Sequence, residues 1–341
     1  MLVKDVSIIN PKGNKRNLKF INYIDTSSVE DGVLVNVKNL ENNFPSRAQR
    51  NLITQDILIS SVRPNLRHNY FVKVDLENLI GSSGFIQVRA NKKLIIPLYL
   101  YYFLTSNPRI RLYTSIANTS QTTFPAFSKD IVENLEIPKL SLKEQQHIVD
   151  TIGSIDDLIE NNSLIIDKIA LLNKNFVGKN SSYGTSKELK DICNISSGKG
   201  KKKLVEGKYK IIGANGEIGK TFDYNFNEEI LVTGRVGTLG TFNRYNEKVW
   251  CSDNTLIIRS PFINYIHYYL LINFNIHNYN RGSTQPLITQ TDLRKMEILI
   301  PKNINELENN LKENYKLIYQ LEKNIKKYIR IKNLYLKKFF G

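Results

Sequence analysis

Gly219-Lys220-Thr221, with Gly213 and Gly216 just ahead of it, is how a nucleotide-binding loop ends. A P-loop needs a glycine, four residues and then Gly-Lys-Ser/Thr, because that length curls backbone N–H groups around one phosphate. Here five residues separate Gly213 from Gly219, and Ala214 stands where the first glycine belongs. The helix that should follow is missing as well. After Thr221 comes FDYNFNEEILVTG, rich in aromatic, Asn and β-branched residues, which reads as a turn and then a strand. The glycines therefore punctuate a β segment, and nucleotide hydrolysis is not expected of it.

Other bond-making chemistry finds no better footing. A DNA methyltransferase acting on an amino group needs an Asn/Asp-Pro-Pro-aromatic loop to hold the flipped base. The chain has no Pro-Pro pair, and Asn10-Pro11 and Asn107-Pro108 stand isolated. No glycine-rich strand-to-helix turn suits S-adenosylmethionine. Glu188-Leu189-Lys190 and Glu206-Gly207-Lys208 supply the ExK of a PD…ExK nuclease, but no Pro-Asp precedes either. ExK arises readily by chance in so lysine-rich a chain. His68, His147, His267 and His277 lack metal or triad spacing and read as surface or packing residues. Cys193 and Cys251 are far apart and lack metal-ligand spacing with the histidines. A reduced, cytoplasmic, non-catalytic protein without a metal site is expected.

Charge points to a binding role instead. Lys+Arg 48 against Asp+Glu 32 gives a net +16, which favours a polyanionic partner, nucleic acid being the commonest. A Lys/Asn-rich coding bias would raise the charge in the same way without making a binding face, and charge alone does not separate DNA from RNA. The 341 residues, 41% hydrophobic and 23% charged, suit two ordinary globular domains. No apolar run approaches the roughly 20 residues of a bilayer span, and the opening MLVKDVSIINPKGN has no signal-peptide core.

The elements that would position a binding surface occur twice. Residues 118–145 echo 281–308: in each, a Ser/Thr-Gln turn leads to an amphipathic segment, an Ile-Pro (Ile137-Pro138, Ile300-Pro301) and a helix start. Upstream, DILISSVRP (56–64) matches EILVTGRVG (229–237), and PLYLYYFL (97–104) matches NYIHYYLL (264–271). The period is roughly 160 to 170 residues. Each non-helical block consists of short strands broken by Gly, Asn, Ser and Pro, an α+β pattern.

Two helices complete the repeat. Ser141-Leu142-Lys143-Glu144 is a capping box opening the first. Ile148, Ile152, Ile155, Ile159, Ile166 and Ile169 step along it by threes and fours, with Asn162 interposed. Leu307, Leu311, Ile318, Leu321 and Ile325 do the same on the second, with Asn314 interposed. Narrow seams flanked by charge suit an antiparallel coiled coil between the helices; the alternative is two amphipathic helices lying on their own domains. Asn162 and Asn314 either fix register or face solvent. The expected organisation is domain 1 at 1–140, a helical spacer at 141–180, domain 2 at 181–302 and a second spacer at 303–341. The fold class is α+β: two tandem strand-rich domains joined by two long helices, with pseudo-twofold symmetry.

ELKDICNISSGKG (188–200), KYKIIGANGEIGKTFDYNF (208–226), ILVTGRVGTLGTF (230–242) and WCSDNTLIIR (250–259) together resemble a target recognition domain of the type I restriction-modification specificity subunits, the HsdS family. PSRAQRNLITQDILISSVRPNLR (45–67) is similar to another type of such domain, and residues 140–177 look like the helical spacer that follows each. The resemblance covers essentially the whole chain. It implies a protein without catalytic chemistry, whose two domains each read half of a split double-stranded DNA site through the major groove. Its helices would dock methyltransferase subunits, with a translocase-nuclease joining them. S-adenosylmethionine, Mg²⁺ and ATP would then be held by partners, and no cofactor by this chain. The related type IIB subunits, which pair with one fused nuclease-methyltransferase chain, fit the same words. A stand-alone nuclease or nucleotide hydrolase is the rival of another class.

Residues suited to DNA are plentiful. Lys199, Lys201, Lys202 and Lys203 lie in a Gly-flanked run suited to phosphates, or to plain solvation; Lys220 is a further phosphate candidate. Arg47, Arg50, Arg63 and Arg67 in the first block, and Arg235, Arg244 and Arg281 in the second, are candidates for base edges. Arg reaches guanine O6 and N7 with two hydrogen bonds where Lys makes a point contact. Gln121 and Gln285 hold equivalent places in the repeat and either pair with adenine or anchor the next strand. Tyr101-Tyr102 and Tyr268-Tyr269 read as core rather than as base-stacking platforms. From Asp156 to Phe176 the first helix rises about 30 Å at 1.5 Å per residue, which corresponds to half-sites about 10 base pairs apart.

Overall fold

Short apolar runs bounded by Gly, Asn and Pro become strands, and they do so twice in the same spatial order. The computed structural model describes residues 1–12, 18–30, 32–119, 125–200, 202–236, 240–275 and 287–341. It divides into two compact units, Met1–Glu160 with Ile325–Gly341, and Asn161–Asn324.

The first unit runs α1 (Val3–Val6), β1 (Ser7–Ile9), β2 (Phe20–Ile24), β3 (Val29–Glu30), β4 (Val33–Leu34), β5 (Lys38–Glu41) and β6 (Ala48–Asn51). It continues through β7 (Ile57–Ser60), β8 (Tyr70–Phe71), β9 (Leu79–Ser82), β10 (Phe85–Ala90), α2 (Pro97–Thr105), α3 (Asn107–Asn118) and α4 (Lys129–Glu133) into α5 (Leu142–Ser181). One sheet has the order β1-β10-β7-β8, a second β5-β2-β9-β6. Neighbours in the first sheet are all antiparallel, β10 meeting β7 from Phe85↔Ser60 to Val88↔Ile57. In the second, β2 is parallel to β9 and antiparallel to β5.

Alternation along β7 explains its place. Ile57 and Ile59 share a core with Tyr99, Leu100, Tyr102 and Phe103 of α2, whereas Leu58 packs with Ile24 and Leu79 of the other sheet. A strand covered on both faces reads as a continuous apolar run, here Ile57-Leu58-Ile59, and the buried Ser60 that ends β7 spends its hydroxyl on Val62 O. Pro97 opens α2 at a position where a missing N–H removes no helical bond.

The second unit repeats this plan with β11 (Thr185–Glu188), β12 (Asn194–Ser197), β13 (Tyr209–Gly213), β14 (Gly216–Thr221), β15 (Ile230–Gly234), β16 (Asn243–Tyr245), β17 (Val249–Cys251) and β18 (Thr255–Arg259). After these come α6 (Ile263–Asn273), α7 (Gln290–Arg294), β19 (Glu297–Ile300) and α8 (Ile304–Phe340). The order β12-β18-β15-β16 reproduces β1-β10-β7-β8, and β14-β13-β17 reproduces β5-β2-β9, parallel pair included. The sequence echoes thus fall on β7 and β15 and on α2 and α6. Leu231 and Ile258 pack with Tyr265, Ile266 and Tyr269 of α6, and Ile212, Cys251 and Ile257 meet between the sheets. Helix α3 is an addition that the sequence reading missed, although Pro108 sits in its first turn.

Helix α5 has 40 residues, about 60 Å at 1.5 Å per residue, and α8 has 37. The capping box of α5 is formed: Ser141 N donates to Glu144 Oε2 at 2.8 Å, and Glu144 N to Ser141 Oγ at 3.3 Å. Of the seam residues, Ile148, Ile152, Ile155, Leu307, Leu311 and Leu321 are buried, and Ile159, Ile166, Ile169, Ile318 and Ile325 half-buried. Within the first unit the early turns of α5 share a core with Leu336 and Phe340, and Lys332 Nζ lies 2.6 Å from Asp156 Oδ1. Within the second, Asn314 Nδ2 donates to Asn173 Oδ1 at 2.6 Å. Early α5 meets late α8 in one unit and late α5 meets early α8 in the other, the polarity of an antiparallel pair. Both ends of both helices are also built into domain cores, so each helix lies on the domains as well as on its partner. Asn314 spends its amide on the other helix, and Asn162 is half-buried.

Candidate nucleic-acid interface

In the first unit, four separate segments are tied together by their backbones at the end of the sheets. Ser83 N donates to Arg47 O at 2.7 Å, Ser61 N to Gly84 O at 3.0 Å, Phe127 N to Ser61 O at 3.1 Å and Arg63 N to Pro125 O at 3.0 Å. Arg47, Arg50, Arg63 and Arg67 are therefore carried by one connected cluster of strand ends and loops. Arg47 and Arg63 are exposed. Arg63 and Arg67 are both left-handed, at φ 48° and 54°, and bracket the tight turn Pro64–Leu66. The two arginines thus flank a rigid corner, although the conformation is sparsely populated for residues with a Cβ. Arg67 is half-buried and donates to Asn107 Oδ1. Arg50 is also half-buried, its Nε donating to Phe85 O at 3.2 Å, and burial lowers its pKa.

The stretch holding Gly219-Lys220-Thr221 is a β-hairpin. β13 and β14 pair antiparallel, Lys210 opposite Lys220, joined by a turn at Ala214-Asn215 that Gly216, at φ +106°, closes. Thr221 is buried in β14, and no helix follows it before β15. A phosphate cradle is thereby excluded. Lys220 is exposed on β14, and its carbonyl accepts from Val205 N at 3.0 Å. Lys199 and Lys203 are exposed, whereas Lys202 is paired with Asp223 at 2.7 Å and lies 4.5 Å from the centroid of Trp250.

Arg235 occupies the loop after β15. Its N donates to Asn254 O at 3.0 Å and its carbonyl accepts from Ile288 N at 2.9 Å. Among the described residues the side chain reaches Asp253 O, at 3.5 Å, and its Nε is buried without a hydrogen-bond partner. The backbone of Arg235 is thus fixed on both sides of its Cα. The isolated bridges Val62↔Ala126 and Val236↔Leu287 show that Arg63 and Arg235 belong to the same loop of the repeat. Lys201, Gln121, Arg281 and Gln285 lie outside the described residues.

Arg244 is a correction. Its side chain is only 5% exposed, held by Glu229 and by Asn264 Oδ1. The guanidinium lies over the ring of Tyr315 on α8, 3.4 Å from its centroid. A fork already spent on a carboxylate and shielded by an aromatic ring has nothing to offer a base edge; Arg244 joins sheet to helix. Two polar anchors at the helix starts also escaped the sequence reading. Buried Gln145 accepts from Ile96 N at 2.8 Å ahead of α2, and buried Glu308 accepts from Asn264 N at 3.2 Å and Tyr265 N at 2.9 Å at the start of α6. They close the two echoed segments, so the repeat itself was the signal that pointed to them.

Several titratable groups singled out in the sequence are buried or paired. His267 Nε2 donates to Phe242 O at 2.9 Å, and burial lowers its pKa to about 4, so it is neutral at pH 7. Burial pushes the thiols of Cys193 and Cys251 up to about 12, far from thiolate reactivity. Glu188 and Lys190 of one ExK are paired with each other. Among the described residues no cluster of three or more His, Cys, Asp or Glu is placed to hold a metal, and no helix is long and apolar enough to cross a membrane. Tyr102, Tyr268 and Tyr269 are buried.

A family model described as type I restriction modification DNA specificity domain matches residues 3–171 and again 184–334. The type I restriction enzyme HindI specificity subunit of Haemophilus influenzae is 31% identical over 153 residues, 45% of this chain and 30% of that protein. The crystal structure of the type I restriction-modification system S subunit from M. genitalium is similar in fold. Its TM-score is 0.65 at 15% identity, over 100% of this chain and 95% of that chain.

Proposed function

The chain belongs to the type I restriction modification DNA specificity domain family, and on that premise we propose that it is the DNA-reading subunit of a restriction-modification complex. Each unit reads one half of a bipartite double-stranded site through the major groove. The observation that carries this reading is the duplicated sheet order, with an arginine in the corresponding loop of each unit, Arg63 in one and Arg235 in the other. The stretch of α5 from Asp156 to Phe176, about 30 Å at 1.5 Å per residue, favours half-sites centred about one DNA turn, or about 10 base pairs, apart.

The helices are the docking elements for methyltransferase subunits. Leu158, Leu164, Ile165, Leu171, Leu172 and Phe176 of α5 are exposed and recur at close to heptad spacing, away from the seam, as a helical partner requires. The subunit itself makes and breaks no bonds and works in the cytoplasm. S-adenosylmethionine, Mg²⁺ and ATP act on the partners.

Selection of bound duplexes from a random pool by the full chain with its methyltransferase tests this reading. Two conserved half-sites separated by unconserved positions are expected. Co-purification of separate methyltransferase and translocase subunits supports a type I complex, whereas a single fused nuclease-methyltransferase supports the type IIB form.

A further inference from the structure

Residues 198–200 and 202–207 lie along the outer face of the β14-β13-β17 sheet as a strap. Cys251 and Val249 of β17 point into the core between the sheets, so Trp250 between them points outward. The strap is fastened repeatedly. Gly198 N donates to Thr255 O at 3.1 Å and Lys199 N to Cys251 O at 3.0 Å. Trp250 Nε1 donates to Gly200 O at 3.2 Å, and Lys202 Nζ lies 4.5 Å from the centroid of Trp250 while pairing with Asp223 at 2.7 Å. Beyond it, Leu204 covers Gly219, and Val205 N donates to Lys220 O at 3.0 Å.

The two ends are close backbone approaches that only glycine permits. A Cβ on Gly198 would collide with the Ser252 carbonyl, and one on Gly207 with the Thr221 backbone. A run of cations would ordinarily wave in solvent and lose conformational freedom on binding. This one is pre-shaped, with Lys202 turned inward as an anchor and Lys199 and Lys203 exposed.

We propose that Trp250 is a positioning residue, holding the lysine strap over the sheet so that Lys199 and Lys203 meet successive phosphates of one DNA strand. The inference rests on the DNA-binding reading above. Trp250 is the chain's only tryptophan, so its fluorescence reports on the strap directly.

The test titrates the full chain with a mixed-sequence DNA duplex at several salt concentrations and reads the slope of log K against log salt, to which each neutralised phosphate contributes about 0.9. Trp250→Leu lowers the slope by about 1 to 2 and weakens binding to all sequences alike. Trp250→Phe, which keeps a ring beneath Lys202, restores most of the lost slope. Lys202→Gln, a milder change, lowers the slope by more than the value of about 1 that one lysine supplies. In the wild type, duplex DNA shields the tryptophan from iodide quenching. An unchanged slope in Trp250→Leu, a loss that Trp250→Phe fails to rescue, a loss of about 1 or less in Lys202→Gln, or unaltered quenching each overturns the proposal. A wild-type chain that binds no duplex at any salt overturns the DNA-binding reading itself, an outcome visible before any substitution is made.

Discussion

Arg244 packs over Tyr315, its guanidinium carbon 3.4 Å from the ring centroid, while its nitrogens hold Glu229 and Asn264. A strand residue of the second unit is thereby clamped to helix α8 by a cation–π contact and an ion pair, both largely withdrawn from water. Arg244→Ala leaves Glu229 without its partner in a half-buried site and uncovers Tyr315. A loss of about 3 kcal/mol is expected, read as a lowered urea midpoint. Arg244→Lys restores little, because an ammonium neither stacks nor forks. A loss below about 0.5 kcal/mol, the level of an ordinary surface change, would contradict the structural role.

Glu308 makes the second link between α8 and the same domain. It accepts from Asn264 N, from Tyr265 N and, at 2.5 Å, from Asn264 Nδ2, placing a carboxylate at the start of α6. Glu308→Ala strands these donors and is expected to destabilise by about 2 kcal/mol. Glu308→Gln keeps an acceptor and loses less. Equal losses from the two variants, in matched denaturant titrations, would show that the acceptor is immaterial.

The pH dependence of folding carries the mark of His267. Its ordinary pKa of 6.5 falls to about 4 in the folded chain because burial disfavours the imidazolium. Between those values the unfolded chain binds the proton and the folded chain does not, so stability rises with pH. The contribution of the neutral ring is complete above about pH 6.5 and is lost as pH falls toward 4. Thermal melts from pH 7 to pH 5 should fall by more in the wild type than in His267→Gln, which does not titrate. Parallel falls in both proteins would assign the acid sensitivity elsewhere.

Arg235 and Lys203 separate reading from gripping. Arg235→Ala is expected to cost about 1 to 3 kcal/mol on the cognate site and to relax discrimination in one half-site only. Lys203→Ala weakens all duplexes alike and lowers the salt slope by about 1. Selection profiles of the two variants distinguish the roles, and a uniform loss from Arg235→Ala would make it a phosphate contact.

Much of the architecture was legible because it is carried by periodicity. The β7 and β15 runs are apolar on both faces, the α2 and α6 segments are aromatic-rich, and the capping box at Ser141 is a local signal that needs no tertiary context. The glycine spacing, which no phosphate loop shares, marked the Gly213–Thr221 stretch as a β segment, and the pairing of β13 with β14 made it a hairpin. Side-chain partners were not readable. Nothing in the sequence around Arg244 says that Glu229 and Tyr315 will surround it, since those contacts join residues far apart along the chain. Trp250 carries no local signal for the same reason: its contacts lie in a strap that begins 52 residues earlier, at Gly198. Helix α3 was hidden behind Asn107-Pro108, which fits a first helical turn as well as it fits a loop.

On the proposed function, two copies of one fold read two separate pieces of DNA. Footprinting of the full chain, together with its methyltransferase partner, on a duplex recovered by selection tests it most directly. Two protected base clusters, centred about 10 base pairs apart with an indifferent spacer between them, are the expected result. Each cluster should respond to substitution in one unit only, Arg63 for one and Arg235 for the other. A single continuous recognition sequence, altered as a whole by either substitution, would contradict the account.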